Sequence, residues 1–447
     1  MKKLILTISI LFIATSSLFA QQEAASKTSM NPVQYRVGEW LPSDQVILEQ
    51  WMELLITRTE ANAHPLLPVV EEFKELIERD PEIYMLFHQM FEQLPNKAPY
   101  NVDPTGEPQV RDYHHMLQLI NQVITEAPKF NKTGLVGFPI NAILDWPMGT
   151  QAGASAFLNP KVNCQLKKIL NEWAVFLDSP DSRYVLGDDP RSGWFGQDAK
   201  EAMPNFVQDF KCNPELPQHG FTSWDNFFTR EYREGKRPVA SPKNDAVITN
   251  ACESAPYRIA RNVQKRNEFW IKGQPYSLDH MMAGDSLVEQ FVGGTIYQAF
   301  LSALSYHRWH SPVSGRILKT TVLDGSYYAE TLAEGFDPAG PNLSQGFITE
   351  VATRALVFIE ADNPGIGLMC VMFVGMAEVS TCDVTVYEGQ HVNKGDQLGM
   401  FHFGGSTHCL IFRPEVQLEF DMHGQTPGVN SRNIPVRAKI ATVLNKQ

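Results

Sequence analysis

"RALVFIEADNPGIGLMCVMFVG", residues 354–375, decides how the second half of this chain is read. Two apolar, β-branched runs flank an Asp-Asn-Pro-Gly turn, which is the pattern of a strand, a tight reversal and a second strand. Outward from this hairpin, the segments after residue 240 stay short, β-branched and punctuated by glycine. Toward the N-terminus the period changes. "SDQVILEQWMELLITR" places Ile47, Trp51, Leu54 and Leu55 at helical spacing behind Ser43 as an N-cap, and "LPVVEEFKELIERD" repeats the stripe with Val69, Val70, Phe73, Leu76 and Ile77. Asp80 followed by Pro81 restarts a third helix, proline being tolerated at the first helical position. These stripes predict core. The expected fold class is α+β: a helical accessory domain over residues 30–195, then a β-rich domain over 196–447, with the change near "SGWFGQDAKEAMPNF".

A chain of 447 residues with 43% hydrophobic and 11% aromatic residues has ample material for real cores. Its net charge of -12 argues against a nucleic-acid partner, because a polyanion is held by clustered Lys and Arg that release counterions. The same balance disfavours docking on anionic lipid.

The N-terminus reads as a secretory signal peptide over residues 1–20: Lys2 and Lys3, an apolar run from Leu4 to Ile13, and a small-residue cleavage zone from Ser16 to Ala20. The run is short of the roughly 20 residues that a membrane span requires. An exported protein, periplasmic or secreted, without stable membrane insertion is the expectation. Six cysteines lie far apart with no C-x-x-C pair, which excludes a zinc ribbon and leaves room for one or two bridges.

Two features invite chemistry and carry little. His114 and His115 are adjacent, so on a helix their rings point in different directions and make a poor metal pair; no metal is expected. "VYEGQHVNKGDQLGMFHFGGST" resembles the hairpins of biotinyl and lipoyl carrier domains. Lys394 sits at a turn there but lacks a Met-Lys-Met setting, so a structural β-sandwich is the reading.

Three segments are read together: "NACESAP" (250–256), "YHRWHSPVSG" (306–315) and "GGSTH" (404–408). They supply a carboxylate, two histidines and a serine, the roles of an activated nucleophile. Gly404 and Gly405 leave the preceding carbonyl open and let the backbone adopt strained conformations, so the target of Ser406 is read as the chain's own peptide bond.

"FVGGTIYQAFLSALSYHRWHSPVSG" (291–315), "FGGST" (403–407), "EGQHVNKGDQLGMF" (388–401) and "WDNFFTREYREGKRPV" (224–239) resemble the signature segments of the phosphatidylserine decarboxylase family. "ACES", "YHRWH", "IEADN" and "STC" are closer to its branch of fungal L-tryptophan decarboxylases, which also carries a helical N-terminal domain. The resemblance implies that Ser406 attacks the carbonyl of Gly405, His310 takes the proton, Glu253 orients the imidazole, and the chain is cut between 405 and 406. It implies a pyruvoyl group formed from Ser406, with His307 as the acid that reprotonates the substrate carbon. One departure stands out: Asn250-Ala251-Cys252-Glu253-Ser254 replaces the common Ser-Pro-Ala-Asp-Gly, placing Glu253 where an aspartate is usual. Cys252 beside it is read as packing.

The acidic helical domain favours a soluble amino acid over a lipid substrate, and the branch points to L-tryptophan; phosphatidylserine is the alternative. "FWIKGQPYSL" offers Phe269, Trp270 and Tyr276 for an aromatic slot, with core packing as the competing reading. A non-enzymatic exported binding protein of the same fold is the third possibility, and its mark is loss of Ser406, His310 or His307, all of which are present.

Overall fold

The computed structural model describes residues 45–62, 64–94, 110–131, 139–267, 276–302, 304–331 and 344–444. The signal segment, Ser43, Phe269 and Trp270 lie outside them.

The first half is helical as the periodicity predicts. Helix α1 (Gln45–Ala61) buries Met52 and Leu55 but leaves Leu54 72% exposed and Trp51 half-buried, so its inward stripe is rotated from the expected one. Helix α2 (Pro68–Arg79) buries Val70, Phe73 and Ile77. Helix α3 (Pro81–Glu92) begins at Pro81, and the Asp80 carboxylate accepts the N–H groups of Glu82 and Ile83, which otherwise have no partner at a helix start. Four more helices follow: α4 (Tyr113–Val123), α5 (Pro139–Met148), α6 (Gln151–Leu158) and α7 (Pro160–Asp178). A short helix α8 (Trp224–Phe228), capped by the Ser223 hydroxyl on Asn226 N–H, precedes the β region.

Strands β1 (Val247–Thr249), β2 (Ala255–Arg261), β3 (Thr295–Leu301), β4 (Arg308–His310), β5 (Gly315–Leu323), β6 (Arg354–Ala361) and β7 (Leu368–Met376) come next. They are followed by β8 (Cys382–Val384), β9 (His391–Val392), β10 (Gln397–Phe401), β11 (Gly405–Phe412), β12 (Leu418–Phe420) and β13 (Lys439–Val443). The opening hairpin is β6–β7, paired antiparallel from Arg354↔Val374 to Glu360↔Leu368. The large sheet runs β2-β3-β11-β7-β6-β5-β9, with smaller sheets β1-β13-β12 and β4-β10-β8.

Strand β11, which begins at the Gly-Ser pair, is therefore interior, flanked by β3 and β7. Strand alternation sends its residues to two cores. Cys409 and Ile411 join a cluster that continues into the helices, whereas Leu410 and Phe412 join a second cluster with Trp309 and the small sheets. Buried on both faces, β7 reads as an unbroken apolar run, and β3 as one interrupted by Thr295 and Gln298, rather than as alternating strands. The helical segment and the sheet share one continuous apolar cluster, from Met52 to Val436.

Lys394 is only 5% exposed, and its ammonium donates to the carbonyls of Ser241 (2.8 Å), Asn244 (2.7 Å) and Val247 (3.0 Å). A lysine so enclosed pins a turn and is unavailable for a carrier's modification. All six cysteines are free thiols, and burial pushes the Cys252 thiol far up, in keeping with packing rather than reactivity. Among the described residues no helix is long and apolar enough to cross a membrane, and no cluster of metal-binding side chains occurs.

Candidate active site

Ser406 lies one residue into β11, with Leu301 and Gly375 as its cross-strand neighbours. Its side chain is wholly buried, and among the described residues its hydroxyl has no hydrogen-bond partner. An unpaired buried hydroxyl costs about 1–3 kcal/mol, so the position is not explained by stability. The residue two before it, Gly404, has φ +143°, and a Cβ there would lie 2.1 Å from the Ser380 hydroxyl and 2.9 Å from the Ala377 carbonyl. Only glycine fits, both by conformation and by space. Ser380 N–H donates to the Phe403 carbonyl, so the turn after β7 wraps the residues that lead into Ser406. A hydroxyl without a partner, behind a glycine held in an uncommon conformation, fits a residue that is to be chemically converted.

The Glu253 and histidine segments meet, and the histidine segment adjoins the strand that leads into residues 404–408. Strand β10 pairs with β4, placing Gln397 opposite His310 and Met400 opposite Arg308, and Phe401 N–H donates to the His307 carbonyl (3.0 Å). His310 N–H donates to the Ala251 carbonyl (2.8 Å), joining the Glu253 segment to the histidine segment.

His307 is fully buried and stacks on Phe228 at 4.1 Å; Phe228 in turn meets Phe403 edge-on at 5.5 Å. Neither ring nitrogen has a hydrogen-bonded partner. Burial, helped by the Arg230 guanidinium, presses its pKa down to about 3, against a weaker opposing pull from the Ser305 backbone. Arg230 itself donates to the carbonyls of Leu304 (2.7 Å) and Ser305 (3.1 Å), holding the segment that delivers His307.

His310 is held on both nitrogens. Nε2 shares a hydrogen bond with the Tyr306 hydroxyl at 3.0 Å; Nδ1 lies 3.0 Å from the Gly395 carbonyl and 3.1 Å from the Arg437 guanidinium. Burial first, then Arg437, lowers its pKa to about 3, so the ring is neutral and able to accept a proton.

Glu253 does not touch that ring. The Arg237 fork takes both its oxygens, at 2.7 and 3.0 Å, and the Val436 N–H donates to one of them at 2.9 Å. A bidentate guanidinium is the stronger partner for a carboxylate than a neutral imidazole. The link from Glu253 to His310 thus runs through the backbone: Glu253 fixes Val436, and the next residue, Arg437, reaches the imidazole.

Tyr276 is buried, and its hydroxyl bonds Gln298, whose amide donates to the Thr407 hydroxyl at 3.2 Å, next to Ser406. It supports the strand from beneath. The residues that sequence reasoning passed over are Tyr306, Arg230, Arg237 and Arg437. The first three sit inside the quoted "YHRWH" and "TREYREGKRPV" segments; Arg437 carries no local signal.

Comparison with known proteins agrees with this geometry. Family models described as phosphatidylserine decarboxylase match residues 67–203 and 224–431. An L-tryptophan decarboxylase of Psilocybe cyanescens is 39% identical over 422 residues, covering 89% of this chain and 93% of that protein. Decarboxylase iboD of Amanita muscaria is 44% identical over 303 residues, 64% of this chain and 86% of the relative. A phosphatidylserine decarboxylase proenzyme of Schizosaccharomyces pombe is 32% identical over 222 residues, 48% of this chain and 22% of the relative. With similarity of this extent over most of both chains, the chain belongs to the phosphatidylserine decarboxylase family and is a carboxy-lyase.

Proposed function

We propose that this protein decarboxylates an aromatic L-amino acid, L-tryptophan to tryptamine and carbon dioxide, after cutting itself between Gly405 and Ser406. The observation that carries the reading is the partnerless, wholly buried Ser406 hydroxyl behind the left-handed Gly404. Ser406 Oγ attacks the Gly405 carbonyl carbon, and His310 Nε2 takes the hydroxyl proton, directly or relayed by the Tyr306 hydroxyl that occupies it. The amide becomes an ester; β-elimination and hydrolysis then release ammonia and leave a pyruvoyl group at the new N-terminus. That group supplies a ketone that condenses with an amine and draws off electrons as carbon dioxide leaves. Phe228, Phe403, Trp173 and Trp224 pack together around this end of the chain and exclude water. His307, neutral at rest and without a partner on either nitrogen among the described residues, takes up a proton from solvent and hands it to the substrate carbon. Similarity to proteins named L-tryptophan decarboxylase over most of both chains supports the aromatic side chain. We further read residues 1–20 as an export signal, so the protein recovered from cells begins after Ala20.

Denaturing electrophoresis and intact mass test the maturation: two fragments are expected, the smaller beginning at residue 406, and Ser406→Ala should remain one inactive chain. A cut Ser406→Ala chain sinks the assignment. Incubation with tryptophan, tyrosine, phenylalanine and phosphatidylserine tests the substrate; amine released only from the lipid overturns the aromatic reading.

A further inference from the structure

Of the buried carboxyls that have no role in the scheme, one adjoins the scission site. Glu378 is wholly buried in the turn that follows β7, and it is the only ionisable residue of the loop Met376-Ala-Glu-Val-Ser380. That loop touches the scission site at both ends. Met376 is the cross-strand partner of Gly405, and Ser380 binds the Phe403 carbonyl and abuts Gly404. Ala377 (φ 53°) and Glu378 (φ 40°) both adopt the left-handed conformation, which costs a residue with a Cβ about 1–3 kcal/mol. Two such residues in succession aim the Glu378 carboxyl at the helical layer, where the N–H groups of Ile140 and Asn141, in the first turn of α5, each donate to one oxygen at 3.1 Å. Among the described residues, the other oxygen meets the Tyr328 hydroxyl alone, at 3.4 Å.

Beside it stands a second anomaly. The Asn141 side chain is wholly buried, and neither its amide nitrogen nor its carbonyl oxygen has a hydrogen-bond partner. A complete carboxamide left unpaired in a core is rare and expensive, and it marks a place where something else supplies the bonds. A carboxylate and a carboxamide oxygen are both acceptors. The amide nitrogen is a donor, so the ligand that satisfies the set carries a positively charged donor, since a buried anion gains most from a cation, together with an acceptor, as an amino acid does.

We propose that Glu378 and Asn141 receive the α-ammonium group of the amino-acid substrate, and that Glu378 removes the proton which must leave before the nitrogen can attack a carbonyl. One N–H bond of the ammonium breaks, the proton goes to the carboxylate oxygen that faces Tyr328, and the electron pair stays on nitrogen as the free amine. Burial pushes the Glu378 carboxyl up to about 8, close to the range of an amino group, so exchange between the two is nearly balanced in energy. The inference rests on reading the chain as an amino-acid decarboxylase but not on which side chain it selects, because every amino acid carries this ammonium.

The test is calorimetric and separate from turnover. The mature full-length protein is titrated with tryptamine and, as a ring-matched ligand without the amine, 3-indolepropionate. Glu378→Gln keeps an acceptor for the two α5 N–H groups, so the self-cleaved protein should form. Tryptamine affinity should fall about 30-fold or more, the loss expected when one member of a buried charge pair is removed, while 3-indolepropionate changes less than about twofold. Repeating the titration in buffers of different ionisation enthalpy counts protons: wild type should transfer one on binding tryptamine, and the variant none. Unchanged tryptamine affinity, equal weakening of both ligands, or the same proton count in both proteins overturns the proposal. Should Glu378→Gln fail to fold or mature, Asn141→Ala carries the test, with tryptamine-selective weakening expected and unselective weakening fatal. A wild type that binds ethanolamine and ignores tryptamine refutes the aromatic reading alone, and the Glu378→Gln contrast is then read with ethanolamine. A wild type that binds no amine overturns both.

Discussion

His307 and His310 stand three residues apart, both buried and both pressed to about pKa 3, yet their surroundings are opposite. His310 is gripped at each nitrogen by Tyr306, Gly395 and Arg437, and its neighbourhood is braced by the Glu253–Arg237 pair. His307 rests on a phenylalanine face with both nitrogens empty. A ring that is fully bonded is built to stay still through one internal event. A ring left without partners in an apolar pocket is stable only because the fold over-determines it, and it is free to bond to something that arrives later. Under the proposed function, the two histidines divide between maturation and turnover.

The sharpest way to break this contrast is to truncate each ring. His310→Ala should abolish self-cleavage and leave one chain on a denaturing gel. His307→Ala should still be cut into two fragments but decarboxylate about 100- to 10,000-fold more slowly, the usual worth of a positioned acid. Cleavage lost in both variants, or in neither, dissolves the division.

Acid should expose what the two rings share. His307, His310 and His408 all have folded pKa values lowered from 6.5 to about 3 by burial, so between those limits the unfolded chain binds more protons than the folded one. Stability should therefore be fully present above pH 6.5 and decline as pH falls toward 3, by several kcal/mol in all. Glu378, raised to about 8, works the other way, its contribution declining as pH climbs from 4.5 to 8. Urea titrations at a series of pH values read both slopes, and Glu378→Gln should flatten the second, to which Glu350, also raised to about 8 by burial, contributes as well.

Smaller changes sharpen the bracing side. Arg237→Ala leaves the Glu253 carboxylate largely buried without its counter-ion and should cost on the order of 3 kcal/mol in chemical denaturation, along with slower cleavage as Val436 and Arg437 loosen. Substitution by Lys should restore little, because the fork is lost. Lys394→Met removes three bonds to carbonyls and should cost about 1–3 kcal/mol, with no change in the mass of any attached group. A covalent adduct on Lys394 would reinstate the carrier reading.

Much of this was open to reading in the linear chain. The β6–β7 hairpin, the α2 and α3 stripes and the Asp80–Pro81 helix start follow from local rules, because period, turn chemistry and capping act over a few residues. So does the presence of a serine behind two glycines. The rotation of α1 was not open in this way: Met52 and Leu54 are both apolar, and which one turns inward depends on the neighbours it meets.

Local chemistry named the candidate residues Ser406, His307, His310 and Glu253, because nucleophile, base and carboxylate are properties of side chains. Partnership was settled by folding. Glu253 carries a charge that two groups could satisfy, and Arg237, sixteen residues upstream and brought round by the chain, satisfies it better than His310 does. Arg437 and Glu378 reach their places from afar, Glu378 bonding a helix start more than two hundred residues away. Distances of that kind depend on how layers stack, and burial, which sets the histidine and glutamate pKa values, exists only once they have stacked.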